Sequence, residues 1–158
     1  MTEKSAEIDA VAVRLVPWHD PSAEALRAAQ QVEIAERYGE DTEPGVKPTA
    51  DDIAAFFVAF DATGTGVGCG GLRELDETHA EIKRMFVDPG FRGSGVALAV
   101  LSTIEVYGRE RGWSRLVLET GEAQPDAMRF YEREGYRRIP NFGAYAGHPL
   151  SVCYEKQL

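Results

Sequence analysis

The sequence predicts an α/β fold: one mixed, mostly antiparallel twisted sheet of about six to seven strands with helices on both faces, in the order βααβββαβαββ. Three observations predict it. Short apolar or alternating segments recur along the chain, among them "VAVRLV", "FFVAFDA", "AEIKRMFV" and "SRLVLET". Longer stretches between them carry apolar residues three and four apart, which is helical spacing. Glycines and prolines punctuate the junctions. At 158 residues the chain suffices for a sizeable core, so residues 1–158 are expected to form one domain, with residues 1–9 disordered.

The elements follow in order. "VAVRLV", 11–16, alternates and reads as a strand, and Pro17 and Pro21 bracket a turn. Residues 22–38 carry Ala25, Leu26, Ala29, Val32, Ile34 and Ala35 at helical spacing, with Ser22 as N-cap. A polar, acidic loop runs from Gly39 to Pro48. Thr49 caps a second, short helix in "PTADDIAAFF". "FFVAFDA" and "VGCGGLREL" form a hairpin around "TGTG", and "AEIKRMFV", 80–87, is the next strand. A helix spans 96–111, ended by Arg109, Arg111 and Gly112. "SRLVLET" is a strand, Pro125 opens a helix that Gly135 closes, and "GYRRI" and "SVCYEKQL" are the last strands.

Composition narrows the function. The net charge of −9 argues against nucleic acid as a partner, because such binding rests on neutralised phosphates. No apolar run approaches the roughly 20 residues of a membrane span. The polar N-terminus does not read as a signal peptide, and two cysteines without CxxC spacing suit a reducing, cytoplasmic setting. His19, His79 and His148 are scattered and no HExxH occurs, so no metal is expected. The charge is uneven: residues 1–52 hold 5 basic and 12 acidic side chains, residues 81–115 hold 6 and 4. Solubility accounts for such a distribution, and so does an acidic mouth for a cationic substrate beside a basic cradle for an anionic cofactor.

The stretch "DPGFRGSGVALAVL", 88–101, sets glycines directly before a helix. A helix start of this kind points free N–H groups at an anion. A P-loop would need Lys and Ser/Thr after its last glycine, and "GSGVA" has neither. A dinucleotide fingerprint would need a third glycine where Leu98 stands, which disfavours a nicotinamide-dependent oxidoreductase. Arg-x-x-Gly-x-Ala is met by Arg92, Gly95 and Ala97.

With those residues the chain resembles the GNAT superfamily of acetyltransferases. "RGSGVA" after "AEIKRMFVDP" is similar to the family's acyl-CoA-binding motif. "ETGEAQPDAMRFYEREGYRRI" is similar to its following strand and helix, in which an Asn/Gln, an Ala, an aromatic–Tyr pair and a Gly–aromatic pair recur. Here these are Gln124, Ala127, Phe130–Tyr131 and Gly135–Tyr136. Both motifs lie within 80–139. The chain departs from the pattern at the position that is often Asn, where Gln124 precedes Pro125; the N–H that Pro125 lacks is spare in a first helical turn.

The resemblance implies transfer of an acetyl group from acetyl-CoA directly to a primary amine of a small molecule or peptide. A non-catalytic acyl-CoA-binding module of the same fold is the alternative. Gly93, Ser94, Gly95, Val96 and Ala97 would offer backbone N–H groups to the pyrophosphate, Arg92 a charged fork, Met85, Phe86 and Val87 backbone contacts to the pantetheine arm, and Gln124 an amide contact. Tyr131 would be the general acid for the thiolate and the Val87 N–H the oxyanion donor. Glu81 is the expected general base, with Glu119, Glu33 and Glu36 as alternatives. The acceptor side would be built from Glu33, Glu36, Arg37, Tyr38, Arg84, Glu119 and Tyr145; acidic groups there suit a polyamine, amino sugar or lysine, and Arg37 and Arg84 suit a carboxylate-bearing amino acid. A homodimer through the C-terminal strands is an assembly common among such proteins.

Overall fold

The computed structural model describes residues 11–39 and 47–158. The expected disorder of residues 1–9 lies outside these, as do residues 40–46 of the acidic loop. Seven strands form one sheet: β1 (Ala12–Val16), β2 (Ala55–Phe60), β3 (Gly66–Glu74), β4 (His79–Val87), β5 (Arg115–Gly121), β6 (Arg137–Ile139) and β7 (Ser151–Gln157). Three α-helices are described, α1 (Pro21–Tyr38), α2 (Val96–Arg111) and α3 (Pro125–Arg133). The strands run in the order β1-β2-β3-β4-β5-β7-β6, antiparallel except for the β4–β5 pair. The mixed, mostly antiparallel sheet expected from the segment pattern is therefore present.

Two local expectations are corrected. The helix expected after Thr49 is a single turn. Thr49 N–H donates to the Asp52 carboxylate at 3.2 Å, and Ala54 N–H already donates to Leu72 O of β3 at 2.8 Å. Too few residues lie between for a helical nucleus to propagate, so the sheet captures the chain. The described order is βαβββαβαββ. Ser22 is also not the N-cap of α1. Asp20 is: its carboxylate accepts from the N–H groups of Ser22 (3.0 Å) and Ala23 (3.3 Å), with Pro21 in the first helical position.

The two sheet faces are covered separately. α1 sets Ala23 and Leu26 on Phe56, Val58, Cys69 and Phe86. α2 and α3 cover the other face, with Val96, Val100, Ile104 and Tyr131 packed on Phe57, Leu72, Ile82 and Leu118. α2 lies close because β3 carries glycine beneath it. A Cβ at Gly68 would stand 2.6 Å from Val96, and one at Gly70 would stand 2.5 Å from the Met85 sulfur.

Two features open the sheet at its centre. Arg84 and Met85 of β4 stand opposite the single Gly70, a β-bulge, and Arg84 takes a left-handed φ of 61°. The β4–β5 ladder runs from His79↔Arg115 to Ile82↔Leu118 and no further, so the strands part beyond those pairs.

Candidate active site: a groove and a pocket meeting at Tyr131

Where β4 and β5 part, two cavities meet. A groove of about 560 Å³ lies between α1, α3, the end of β4 and the start of α2. A narrower pocket of about 120 Å³ lies between α1, the parted strands and the segment before β7. Gln30, Ile34, Met85, Gln124, Ala127 and Tyr131 line both.

The groove ends at the glycine-rich turn. Gly93 (φ 78°) and Gly95 (φ 91°) are left-handed, which glycine adopts without Cβ strain. From Gly93 to Leu98 no backbone N–H finds an acceptor among the described residues; the next amide, that of Ala99, bonds to Gly95 O. Space above Gly93 is open, with nothing within 4 Å of a Cβ built there. Consecutive free donors, an open approach and the positive end of the α2 dipole make a cradle for an anionic group. The residues present thus fit a pyrophosphate.

Met85, Phe86, Val87, Arg92, Gly93, Gly95, Ala97 and Gln124 line this groove. Ser94 and Val96 do not. The Ser94 hydroxyl turns back to donate to Phe91 O, and the Val96 side chain is buried beneath α2, which leaves their backbone amides as what they can offer. Arg92 is held from two sides: Nε donates to Val87 O at 3.0 Å and Nη2 to Glu33 Oε2 at 2.7 Å. Just past β4, Asp88 N–H donates to Val67 O of β3. Alternation along the ladder therefore turns the Val87 N–H away from β3, toward the gap that β5 leaves.

Tyr131 is buried at the junction, where burial pushes its hydroxyl pKa above the usual tyrosine value. It packs edge-on between Phe130 and Tyr136. Gln30 reaches across from α1: Nε2 donates to Met85 O at 2.9 Å, and Oε1 is buried without a hydrogen-bond partner among the described residues.

The structure divides the acceptor-side residues expected from sequence. Tyr38, Arg84 and Glu119 line the narrow pocket. Glu33 and Arg37 line the wide groove instead, Glu33 bound to Arg92 and Arg37 donating to Ala123 O at 3.2 Å. Both stand at the wide groove and not at the narrow pocket. Glu36 is exposed on α1 and lines neither cavity.

Glu81 lines neither cavity. It is 3% exposed, and its carboxylate accepts from the Tyr145 hydroxyl at 2.6 Å and lies 3.6 Å from Lys83 Nζ. Lys83 donates to the same hydroxyl at 2.8 Å. Glu81 and Tyr145 form a buried network behind the pocket and do not line it. The Tyr145 ring and the Lys83 ammonium thus stand around this carboxylate.

Four residues here were not singled out from sequence: Gln30, Lys83, His148 and Ser151. Ser151 Oγ donates to Glu119 Oε2 at 2.9 Å and lies 3.3 Å from His148 Nδ1. Asn141 Nδ2 holds the segment by donating to His148 O (3.2 Å) and Ser151 O (3.1 Å). Cys69 and Cys153 are fully buried and line neither cavity; burial pushes their thiols up to about 12 and about 11.

Comparison with known proteins identifies the family. Residues 15–136 match the family model described as the Acetyltransferase (GNAT) family. An IAA acetyltransferase of Azospirillum brasilense is 34% identical over 136 residues, 82% of this chain and 89% of that protein. A solved structure from Klebsiella pneumoniae, described as an acyl-CoA N-acyltransferase, superposes with a TM-score of 0.81 at 30% identity, covering 94% of this chain and 97% of that one. A GNAT acetyltransferase from Elizabethkingia anophelis, solved with acetyl-CoA bound, shares the fold at 17% identity, with a TM-score of 0.70 and coverage of 95% and 99%. The parted strands, the glycine cradle and the matched residues agree: the chain belongs to the GNAT family of acetyltransferases.

Proposed function

We propose that this acyltransferase takes acetyl-CoA in the wide groove and passes the acetyl group directly to a primary amine, of a small molecule or a peptide, seated in the narrow pocket. The observation that carries the reading is the junction: donor groove and acceptor pocket meet at Tyr131, which lines both.

The chain's own groups suit direct transfer. The free amides of 93–98 would hold the pyrophosphate, with Arg92 beside them. The Val87 N–H, facing the gap, would donate to the thioester oxygen as charge develops there. The amine nitrogen forms a bond to the acyl carbon as the carbon–sulfur bond breaks. Tyr131 gives its proton to the departing thiolate and regains one from the new amide nitrogen. Upward displacement of its pKa keeps the hydroxyl protonated, as an acid requires. Neither cysteine reaches the cavities, so a thiol-bound acyl enzyme has no support.

Calorimetric titration with acetyl-CoA, with NAD as control, followed by thiol release over a panel of amines, tests this reading. Micromolar binding of acetyl-CoA alone, and thiol release that depends on an added amine, are expected. Failure to bind acetyl-CoA, or tight binding without release for any amine, overturns it.

A further inference from the structure

We propose that His148 is the base that takes the proton from the acceptor amine, oriented by Ser151 and Glu119, an assignment that rests on the acetyl-transfer reading above. Three chain segments bring the groups together: Glu119 from β5, His148 from the segment after Tyr145, and Ser151 at the start of β7. All three line the narrow pocket.

The hydrogen-bond count fixes their roles. An ionised carboxylate only accepts, so the single Ser151 proton goes to Glu119 at 2.9 Å. Ser151 Oγ can then only accept from His148 Nδ1 at 3.3 Å, which makes Nδ1 the protonated nitrogen. The lone pair of the neutral ring is left on Nε2, in a side chain that lines the acceptor pocket. Glu119, acting through Ser151, supports the positive charge that the ring acquires on taking a proton. A carboxylate performs this service in Ser-His-Asp catalysis. Asn141 and the Ser151 N–H both bond to His148 O, which holds the ring's backbone in register with β7.

The charges around the ring come from several elements. Lys83 and Arg84 of β4 and Glu119 of β5 share the pocket wall, with Tyr38 of α1 and Tyr131 of α3. Glu81 lies behind, engaged with Lys83 and Tyr145. Among the described carboxylates, Glu119 is the one lining this pocket, and it accepts a hydrogen bond from the Ser151 hydroxyl. The proton balance closes. An ammonium acceptor gives one proton to Nε2 before attack, and His148 releases it to solvent. The second leaves the new amide nitrogen to restore Tyr131, and the products are amide, free CoA thiol and one proton.

The test uses the full chain with an amine that supports thiol release. Profiles of kcat/KM against pH are compared for wild type, H148A, H148Q, S151A and E119Q, with acetyl-CoA affinity measured on each. H148A and H148Q are expected to lower kcat by about 10²–10⁴-fold and to remove the acid limb, with acetyl-CoA Kd within about twofold of wild type. Added imidazole restores part of the H148A rate. S151A and E119Q keep the limb at a lower rate, because the ring loses the partners that orient it. Wild-type rate and limb in H148A and H148Q overturn the proposal. So does loss of the limb in E119Q alone, which makes Glu119 the base. A wild type that binds acetyl-CoA and releases no thiol with any amine fails the transfer reading itself, a result separate from any His148 variant.

Discussion

The Tyr38 hydroxyl rests directly on Gly121: a Cβ at position 121 would stand 1.8 Å from that oxygen. The same oxygen accepts from Ala123 N–H at 3.2 Å, and the neighbouring Arg37 donates to Ala123 O at 3.2 Å. The last turn of α1 is thus clasped to the turn between β5 and α3. That turn carries Gln124, which lines both cavities. The clasp joins two walls of both cavities, α1 through Gln30 and Ile34 and the turn through Gln124.

Gly121→Ala therefore displaces the Tyr38 ring and breaks its bond to Ala123. Gly121 does not have a left-handed φ, so the cost is steric and comes from Tyr38. We expect a loss of about 1–3 kcal/mol, the usual range for overpacking. In a Tyr38→Ala background the same substitution should cost under about 0.5 kcal/mol. Urea unfolding of the two single variants and the double variant gives the coupling energy; additive losses would sink the explanation.

Arg92 is tethered to Glu33 at 2.7 Å, with the guanidinium 39% and the carboxylate 24% exposed. Glu33 holds the arginine at the mouth of the groove, but it also competes with an anionic ligand for the same nitrogen. Arg92→Glu should abolish acetyl-CoA binding. Glu33→Gln should weaken it by no more than about threefold, or tighten it, since an ion pair at this exposure is worth under about 1 kcal/mol. Calorimetry at low and high salt checks both. A large loss in Glu33→Gln would mean that orientation by Glu33 outweighs its competition for the charge.

The sequence made some of this legible and hid the rest for physical reasons. The span of α2, 96–111, was readable because glycines stop it at both ends and its apolar spacing is regular. The segment after Thr49 carries genuine cap residues, but Asp52 uses them to close a turn and no helix follows. The glycine cradle was readable since local backbone builds it. Glu81 was not. Alternation in β4 sets its face, but the Tyr145 that covers it arrives 64 residues later. Ser151 meets Glu119 across 32 residues, and no local pattern announces such a meeting. The resemblance puts Glu33, on an early helix, beside the acceptor, and its bond to Arg92 is what sets it at the wide groove.

Alkaline stability follows from the buried tyrosines and thiols. Burial pushes the hydroxyls of Tyr131 and Tyr154 up, burial and then the bond to Glu105 push Tyr136 up, and burial pushes the Cys69 thiol up to about 12. Each folded value lies above the unfolded one. The stabilisation is therefore fully present below the unfolded pKa values, about 8.5 for a thiol and about 10 for a tyrosine. It is lost as pH climbs from there through the folded values. The urea midpoint should fall steadily above about pH 10. A midpoint unchanged up to pH 11 would contradict the burial of these groups.

Tyr131→Phe separates chemistry from binding. The hydroxyl has no hydrogen bond to the described residues, while the ring packs against Phe130, Tyr136 and Tyr154. Phenylalanine keeps that packing and loses only the proton donor, so stability should change by under about 1 kcal/mol. Acetyl-CoA Kd should stay within about twofold, because the cradle is unaltered. The rate should fall by about 10²–10⁴-fold, the usual contribution of a positioned acid. A thioester donor whose thiolate leaves without protonation offers a sharper check. With a donor whose leaving thiol has a low pKa, the deficit of Tyr131→Phe should shrink, since such a thiolate needs no acid. An equal deficit with both donors would remove Tyr131 from proton transfer and leave it the wall between groove and pocket.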